Sequence, residues 1–239
     1  KQVNFSRVYN DLSTVVGSNL NSTLTTSDTV GSETLTMTGT GSVVSQNYSG
    51  SSQSVTLGTL TLGNGTNGGL ATNYSLSGST LTINQRPLNL DGSKTYDGNT
   101  DATNSLLSLS NLATDSNTGN GETLGLAGTA TISSKDAGSR TITNAASSLS
   151  LSNGSNGGLA NNYTFTGGTH NFTINTRPLT VSGTRQYDGT AVASSTDLST
   201  LSNFVGSETV TLSGNGSVSS ANVANNYSVN TSGLSLVNG

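Results

Sequence analysis

A chain of 239 residues with 30 Gly, two Pro, one His and no Cys or Trp carries eight Lys plus Arg against twelve Asp plus Glu, a formal net charge of -4. Charged residues make up 8% of it, against about 25% in an ordinary domain, so Ser, Thr, Asn and Gly must carry solubility. This balance leaves no basic cluster for phosphates and so argues against nucleic acid. It also lacks the apolar run of roughly 18 residues that crosses a bilayer as a helix and the high net charge typical of disorder.

Taken in chain order, the sequence opens at Lys1 without a signal-peptide pattern and reads as an internal fragment. Val8-Tyr9-Asn10-Asp11 comes first. Apolar residues then alternate with hydroxyl residues at 34–38 (TLTMT), 54–58 (SVTLG) and 79–83 (STLTI). Period two with β-branched Thr predicts half-buried strands. Asn64-Gly65 and Asn67-Gly68 supply turn pairs that tolerate positive φ. Arg86-Pro87-Leu88 and Tyr96-Asp97-Gly98 follow, then 105–112 (SLLSLSNL), a candidate for one short helical turn. Further turn pairs at Asn120-Gly121, Asn153-Gly154 and Asn156-Gly157 lead to a strand at 172–174 and to Arg177-Pro178-Leu179. Tyr187-Asp188-Gly189, a second candidate helical turn at 197–204, a strand at 208–212 and the pairs Asn215-Gly216 and Asn238-Gly239 complete the chain.

The order of these phrases repeats. Residues 67–78 (NGGLATNYSLSG) return as 156–167 (NGGLANNYTFTG), 81–88 (LTINQRPL) as 172–179 (FTINTRPL), and Tyr96-Asp97-Gly98 as Tyr187-Asp188-Gly189. A period near 90 residues divides the chain into copies at 1–87, 88–178 and 179–239, of which the second is whole. Short strands at regular spacing predict an all-β chain of tandem Ig-like β-sandwich repeats. A β-grasp-like repeat with a short helix is the alternative. Tyr74, Tyr163, Phe165 and the repeated Leu and Val are the candidate core. Arg-Pro-Leu runs into the next copy without a Gly/Ser linker, which predicts a stiff rod whose partners are its own neighbouring repeats.

Arg177-Pro-Leu-Thr-Val-Ser-Gly183 followed by Tyr187-Asp188-Gly189-Thr190, preceded by Asn-Tyr and a Thr-Ile strand, resembles the YDG and related MBG repeats of large bacterial adhesins of the filamentous-haemagglutinin type. The resemblance covers essentially the whole chain. It implies secretion to the bacterial outer surface, often by a two-partner route, and a spacer role in cell or biofilm-matrix adhesion. Asn10-Asp11 stands where the other copies have Asp-Gly, which speaks for a structural motif.

Each candidate residue has a plain reading beside its functional one. Asp97 and Asp188 read as turn residues capping backbone N–H groups before Gly98 and Gly189 rather than as catalytic or metal carboxylates. Arg86 and Arg177, next to Pro87 and Pro178, read as braces at the domain junction, pairing with a carboxylate such as Asp91 or with carbonyls, rather than as ligands for an acidic sugar. His170, the single His, excludes a histidine triad or His-rich zinc site and reads as exposed. Asp115, Glu122 and Asp136 are spaced too irregularly for a calcium loop. The expectation is therefore a non-enzyme without cofactor, with inter-domain calcium and weak multivalent binding of polysaccharide or host-surface glycan as alternatives.

Overall fold

The structure is a computed structural model that describes residues 4–20, 24 and 29–238; Lys1 and Gly239, on which two sequence expectations fall, lie outside that range. The first copy carries β1 (Asn4–Val8), β2 (Thr14–Val16), β3 (Leu35–Thr38), β4 (Thr40–Ser42), β5 (Ser52–Ser54), β6 (Thr61–Asn64) and β7 (Thr80–Asn84). β8 (Arg86–Pro87) closes the first copy, and the second carries β9 (Asn89–Thr95), β10 (Asp101–Thr103), β11 (Leu107–Ser110), β12 (Leu124–Thr131), β13 (Gly138–Thr141), β14 (Leu149–Asn153), β15 (Tyr163–Thr164) and β16 (Asn171–Asn175). The third carries β17 (Thr180–Ser182), β18 (Val192–Ser194), β19 (Thr200–Ser202), β20 (Val210–Ser217) and β21 (Leu234–Asn238). Among the described residues the one α-helix is α1 (Ala145–Ser148), and no sheet closes into a barrel. The chain is β-rich, as the alternation predicts.

The chain divides into two compact units, the first of residues 1–93, 101–133 and 140–172, the second of 94–100, 134–139 and 173–239. In the first unit β1 lies parallel to β7, which pairs antiparallel with β5 on its other edge. The second copy repeats that plan. There β11 pairs antiparallel with β9, and Leu90 of β9 bridges His170 in parallel sense, next to β16. A second sheet runs β10-β12-β14, all antiparallel. In the second unit β17 pairs with β19, and β18-β20-β21 reproduces the β10-β12-β14 plan.

Burial follows the sequence alternation. Leu35 and Met37 of β3 point inward while Thr36 and Thr38 face out, and the Thr38 hydroxyl meets that of Thr61 across the sheet at 3.1 Å. Phe5, Leu81 and Ile83 of β1 and β7, and Leu90, Ala130, Ile132 and Phe172 of the second copy, are buried in the same manner. Each large apolar side chain so buried contributes about 1.5–3 kcal/mol. A glycine occupies a crowded left-handed position in the long strand region of each copy. Gly39, Gly128 and Gly214 have φ of 83, 108 and 88°, and a Cβ there would lie 2.0, 2.2 and 2.3 Å from the carbonyl oxygens of Thr59, Ser148 and Gly233. Only glycine meets both demands.

Several expectations change. The helical turn expected within 105–112 is a 3-10 turn at Asn104–Leu106 that gives way at once to β11, whereas 197–204 has no helical turn and leads into β19. Alternating Leu and Ser pair with a neighbouring strand better than they stack on a helix, whose i, i+4 face they cannot fill. The strand expected at 54–58 shifts to Ser52–Ser54, with an isolated bridge from Thr56 to Ser42. His170 is half-buried, its ring edge-on to Phe165 at 6.0 Å.

Candidate functional site

The repeated Tyr-Asp-Gly phrase builds a contact between consecutive copies. It begins as a self-contained turn. In the second occurrence the Asp97 carboxylate accepts the Asn99 N–H at 3.2 Å, and in the third Asp188 accepts the Thr190 N–H at 2.9 Å. The residue after the Asp position lies in the left-handed region each time, with φ of 78° at Gly98, 77° at Gly189 and 57° at Asp11. Asp and Asn tolerate that region better than other side chains, which is why Asn10-Asp11 can replace Asp-Gly.

A basic residue two places before the tyrosine locks each turn, and sequence reasoning missed it. Arg7 donates to the Leu12 carbonyl, Lys94 to the Asn99 carbonyl at 3.1 Å, and Arg185 to the Thr190 carbonyl. Lys94 and Arg185 also pair with Asp97 at 2.9 Å and Asp188 at 2.6 Å. Burial opposes ionisation of Asp97, but the Lys94 ammonium and the Asn99 N–H outweigh it and hold the carboxyl below its ordinary range. Asp188 is lowered chiefly by the Thr190 N–H. The recurrence of a cation at that offset was the available signal.

The tyrosine of the first turn then enters the second copy. Tyr9 is 0% exposed, and its hydroxyl lies 2.7 Å from Glu122 Oε1 and 3.0 Å from Asp11 Oδ1. One O–H proton serves one acceptor, and Glu122 is the nearer. Asp11 is satisfied by the Gln46 side-chain amide at 2.7 Å and by the Ser116 N–H at 2.7 Å. Tyr163 donates to the other Glu122 oxygen at 2.6 Å and accepts the Ala113 N–H at 3.0 Å. Its ring stands edge-on to Tyr9, with centroids 5.5 Å apart and planes at 79°. Glu122 and Tyr163 are each 2% exposed. Burial first, and then the bond to Glu122, push both phenols well above the ordinary tyrosine range.

The Asn-Gly loops deliver the second tyrosine. Asn153 Oδ1 accepts the Ala160 N–H at 2.9 Å and caps the 3-10 turn Ala160–Asn162 that ends at Tyr163. Asn64 does the same for Ala71 at 2.8 Å ahead of Tyr74. Buried Asn162 completes the contact, accepting the Tyr48 N–H at 2.9 Å and donating to Asn47 Oδ1 at 2.9 Å.

Arg86 and Arg177 occupy matching places. Arg86 donates from Nε to the Asn111 carbonyl at 2.6 Å, from Nη2 to Asn111 Oδ1 at 2.9 Å and from Nη1 to the Tyr9 carbonyl at 3.3 Å. Arg177 does likewise to Asn203 at 2.7 and 2.8 Å and to the Tyr96 carbonyl at 3.5 Å. Asn111 and Asn203, both at positive φ, return a bond to the Pro87 and Pro178 carbonyls at 2.7 Å. The partners are thus carbonyls and an asparagine. Leu-Ser-Asn at 109–111 and 201–203 was the overlooked sign, hidden inside the segments read as helical turns.

Within the second unit Tyr96 donates to Glu208, as Tyr9 does to Glu122. Within the first unit Tyr74 donates to Glu33, as Tyr163 does to Glu122, and accepts the Val30 N–H at 3.0 Å. Asp115 caps its own turn through the Asn117 N–H and the Thr118 hydroxyl, both at 2.8 Å, and Asp136 meets Ser134. Among the described residues no group of three His, Cys, Asp or Glu could hold a metal ion.

What these contacts define is a β-rich, repeat-built chain whose recurring motifs serve the joint between copies. The YDG domain model matches residues 80–170 and 173–239, well over half of the sequence. The chain belongs to the YDG domain family. No curated protein and no solved structure gives a significant match.

Proposed function

We propose that the chain is a run of non-catalytic spacer repeats from a large secreted bacterial surface adhesin, holding a binding region away from the cell or within a biofilm matrix. The observation that carries this reading is the joint: Tyr9 of one copy is bonded to Glu122 and packed on Tyr163 of the next, with Arg86 gripping both sides. β7, β8 and β9 follow one another within residues 80–95, so no free linker intervenes between the first two copies. A buried polar contact of this kind resists bending and offers no reacting group to a substrate. Resemblance to filamentous-haemagglutinin-like exoproteins supplies the adhesin part.

On this reading each copy is a small β-sandwich, and in the first two copies the first and last strands lie parallel, side by side. The two sheets fit the Ig-like reading, and the parallel pair fits the β-grasp-like one. A spacer is silent toward ligands. The whole chain, immobilised at high density and probed with a glycan array, is expected to give no signal above a blank surface. A reproducible glycan signal would replace the spacer reading with a multivalent lectin-like one.

A further inference from the structure

An Asn-Gly pair is a reactive dipeptide, because glycine has no side chain to keep its own nitrogen away from the asparagine carboxamide. Such pairs begin at Asn64, Asn67, Asn120, Asn153, Asn156 and Asn215 among the described residues. All but one are held back from reaction. Asn64 and Asn153 accept the Ala71 and Ala160 N–H groups at 2.8 and 2.9 Å, while Gly65 and Gly154 donate their N–H groups to the Gly69 and Gly158 carbonyls at 2.9 and 3.0 Å. Asn67 and Asn156 donate from Nδ2 to the Ser32 and Gly121 carbonyls at 2.8 and 2.9 Å and have left-handed backbones, with φ of 57 and 54°. Asn215-Gly216 runs within β20, paired with Ser194 and Ala193 of β18, and Gly216 is buried.

Asn120-Gly121 differs in each respect. Both residues are exposed, and a Cβ on Gly121 would meet nothing within 4 Å. Among the described residues, neither the Asn120 carboxamide nor the Gly121 N–H makes a hydrogen bond. The backbone around them is nevertheless fixed. The Asn120 carbonyl accepts the Asp115 N–H at 2.8 Å, and the Glu122 N–H donates to the Ala113 carbonyl at 2.9 Å. The two groups that must meet are thus the two left free. Before Glu33 and Glu208 the other copies have Gly31-Ser32 and Gly206-Ser207, so this pair is particular to the second copy.

We infer that Asn120-Gly121 is a site of spontaneous covalent modification that rewrites the backbone next to Glu122 and loosens the joint. The Gly121 nitrogen attacks Asn120 Cγ. The N–Cγ bond forms as the Cγ–Nδ2 bond breaks, and Nδ2 leaves as ammonia, taking the proton that the Gly121 nitrogen gives up. Water then opens the cyclic imide. Cleavage at Cγ leaves aspartate, whereas cleavage at the main-chain carbonyl carbon leaves isoaspartate, in which the chain runs through Cβ and Cγ and is one atom longer. The carbonyl that held the Asp115 N–H is then a carboxylate off the main chain. That insertion shifts Glu122, whose two oxygens hold Tyr9 and Tyr163. The inference rests on the geometry of the joint and not on the spacer reading, and its test reads no ligand.

The full chain is aged in warm, mildly alkaline buffer and followed by tryptic peptide masses. Trypsin cuts after Lys and Arg except before Pro, so Asn120 falls in peptide 95–135, Asn64 and Asn67 in 8–94, and Asn153 and Asn156 in 141–185. Peptide 95–135 is expected to gain the mass of amide-to-acid conversion about tenfold faster than the other two, whose pairs must first open locally. It is also expected to become a substrate for a protein isoaspartate methyltransferase. Ageing in urea, with the chain unfolded, is expected to erase the preference. Gly121→Ala crowds the attacking nitrogen without touching the fold and is expected to suppress the gain in 95–135. On ageing, the urea midpoint of the wild type is expected to fall while that of Gly121→Ala holds. Equal rates for the three peptides in the folded chain overturn the inference, as does a gain in 95–135 indifferent to Gly121→Ala, or an aged wild-type chain whose midpoint has not moved.

Discussion

Replacing Tyr163 with Phe removes a single oxygen from the joint and keeps the ring against Tyr9. Glu122 then loses a donor at 2.6 Å, and the Ala113 N–H loses its acceptor at 3.0 Å. A hydrogen bond to a charged group is worth about 1.5–3 kcal/mol, and a buried donor left without a partner costs about 1–3 kcal/mol. Tyr163→Phe should therefore destabilise the first unit by about 3 kcal/mol or more, a large share of the roughly 5–15 kcal/mol that holds a domain together. Tyr74→Phe removes the same two bonds from the half-buried pair with Glu33, where water can replace them, and should cost only a small part of that. The assay is urea unfolding followed by far-UV circular dichroism, with the midpoint shift compared at constant slope. Equal losses for the two variants, or a loss below about 1 kcal/mol for Tyr163→Phe, would refute the claim that the buried joint stabilises the chain.

Two further outcomes follow from the same geometry. Tyr9 and Tyr163 hold their protons to higher pH in the folded chain than in the unfolded one, so their contribution is fully present below the unfolded value near 10 and is lost as pH rises toward their folded values. Unfolding free energy should fall above about pH 10 by at most about 1.4 kcal/mol per pH unit for each, with Tyr9 and Tyr163 the last tyrosines to titrate in ultraviolet difference spectra; a flat profile to pH 12 would contradict the assignment. Gly128→Ala places a Cβ 2.2 Å from the Ser148 carbonyl oxygen at φ 108° and should cost more than about 2 kcal/mol. Gly121→Ala, where nothing lies within 4 Å, should be close to neutral in the same urea unfolding assay, and similar costs for both would refute the steric argument.

The sequence was most legible where a residue's neighbours in space are also its neighbours along the chain. Period-two alternation located β3, β7, β16 and β20, and the Asn-Gly pairs located the loops ahead of Tyr74 and Tyr163. The Tyr-Asp-Gly turn was legible for the same reason, since Asp97 and Asp188 cap N–H groups two residues on. What could not be read is contact over long separations. Tyr9 and Glu122 stand 113 positions apart, and Glu122 looked like one irregularly placed acid among three. Asn111 and Asn203 escaped notice because Leu-Ser-Asn suits both a short helical turn and a strand end, and only the Arg86 and Arg177 forks decide between them. The parallel pairing of β1 with β7 likewise has no local signature, because strands more than seventy residues apart leave the same period-two pattern whichever way they run.

The central claim is that consecutive copies are coupled rigidly enough to act as a spacer, and small-angle scattering from arrays of two, four and six copies tests it most directly. The account predicts a maximum dimension that grows linearly with copy number, by roughly 30–45 Å per copy on the scale of strands of about ten residues at about 3.3 Å each. Growth with the square root of copy number, as for freely jointed beads, would contradict it.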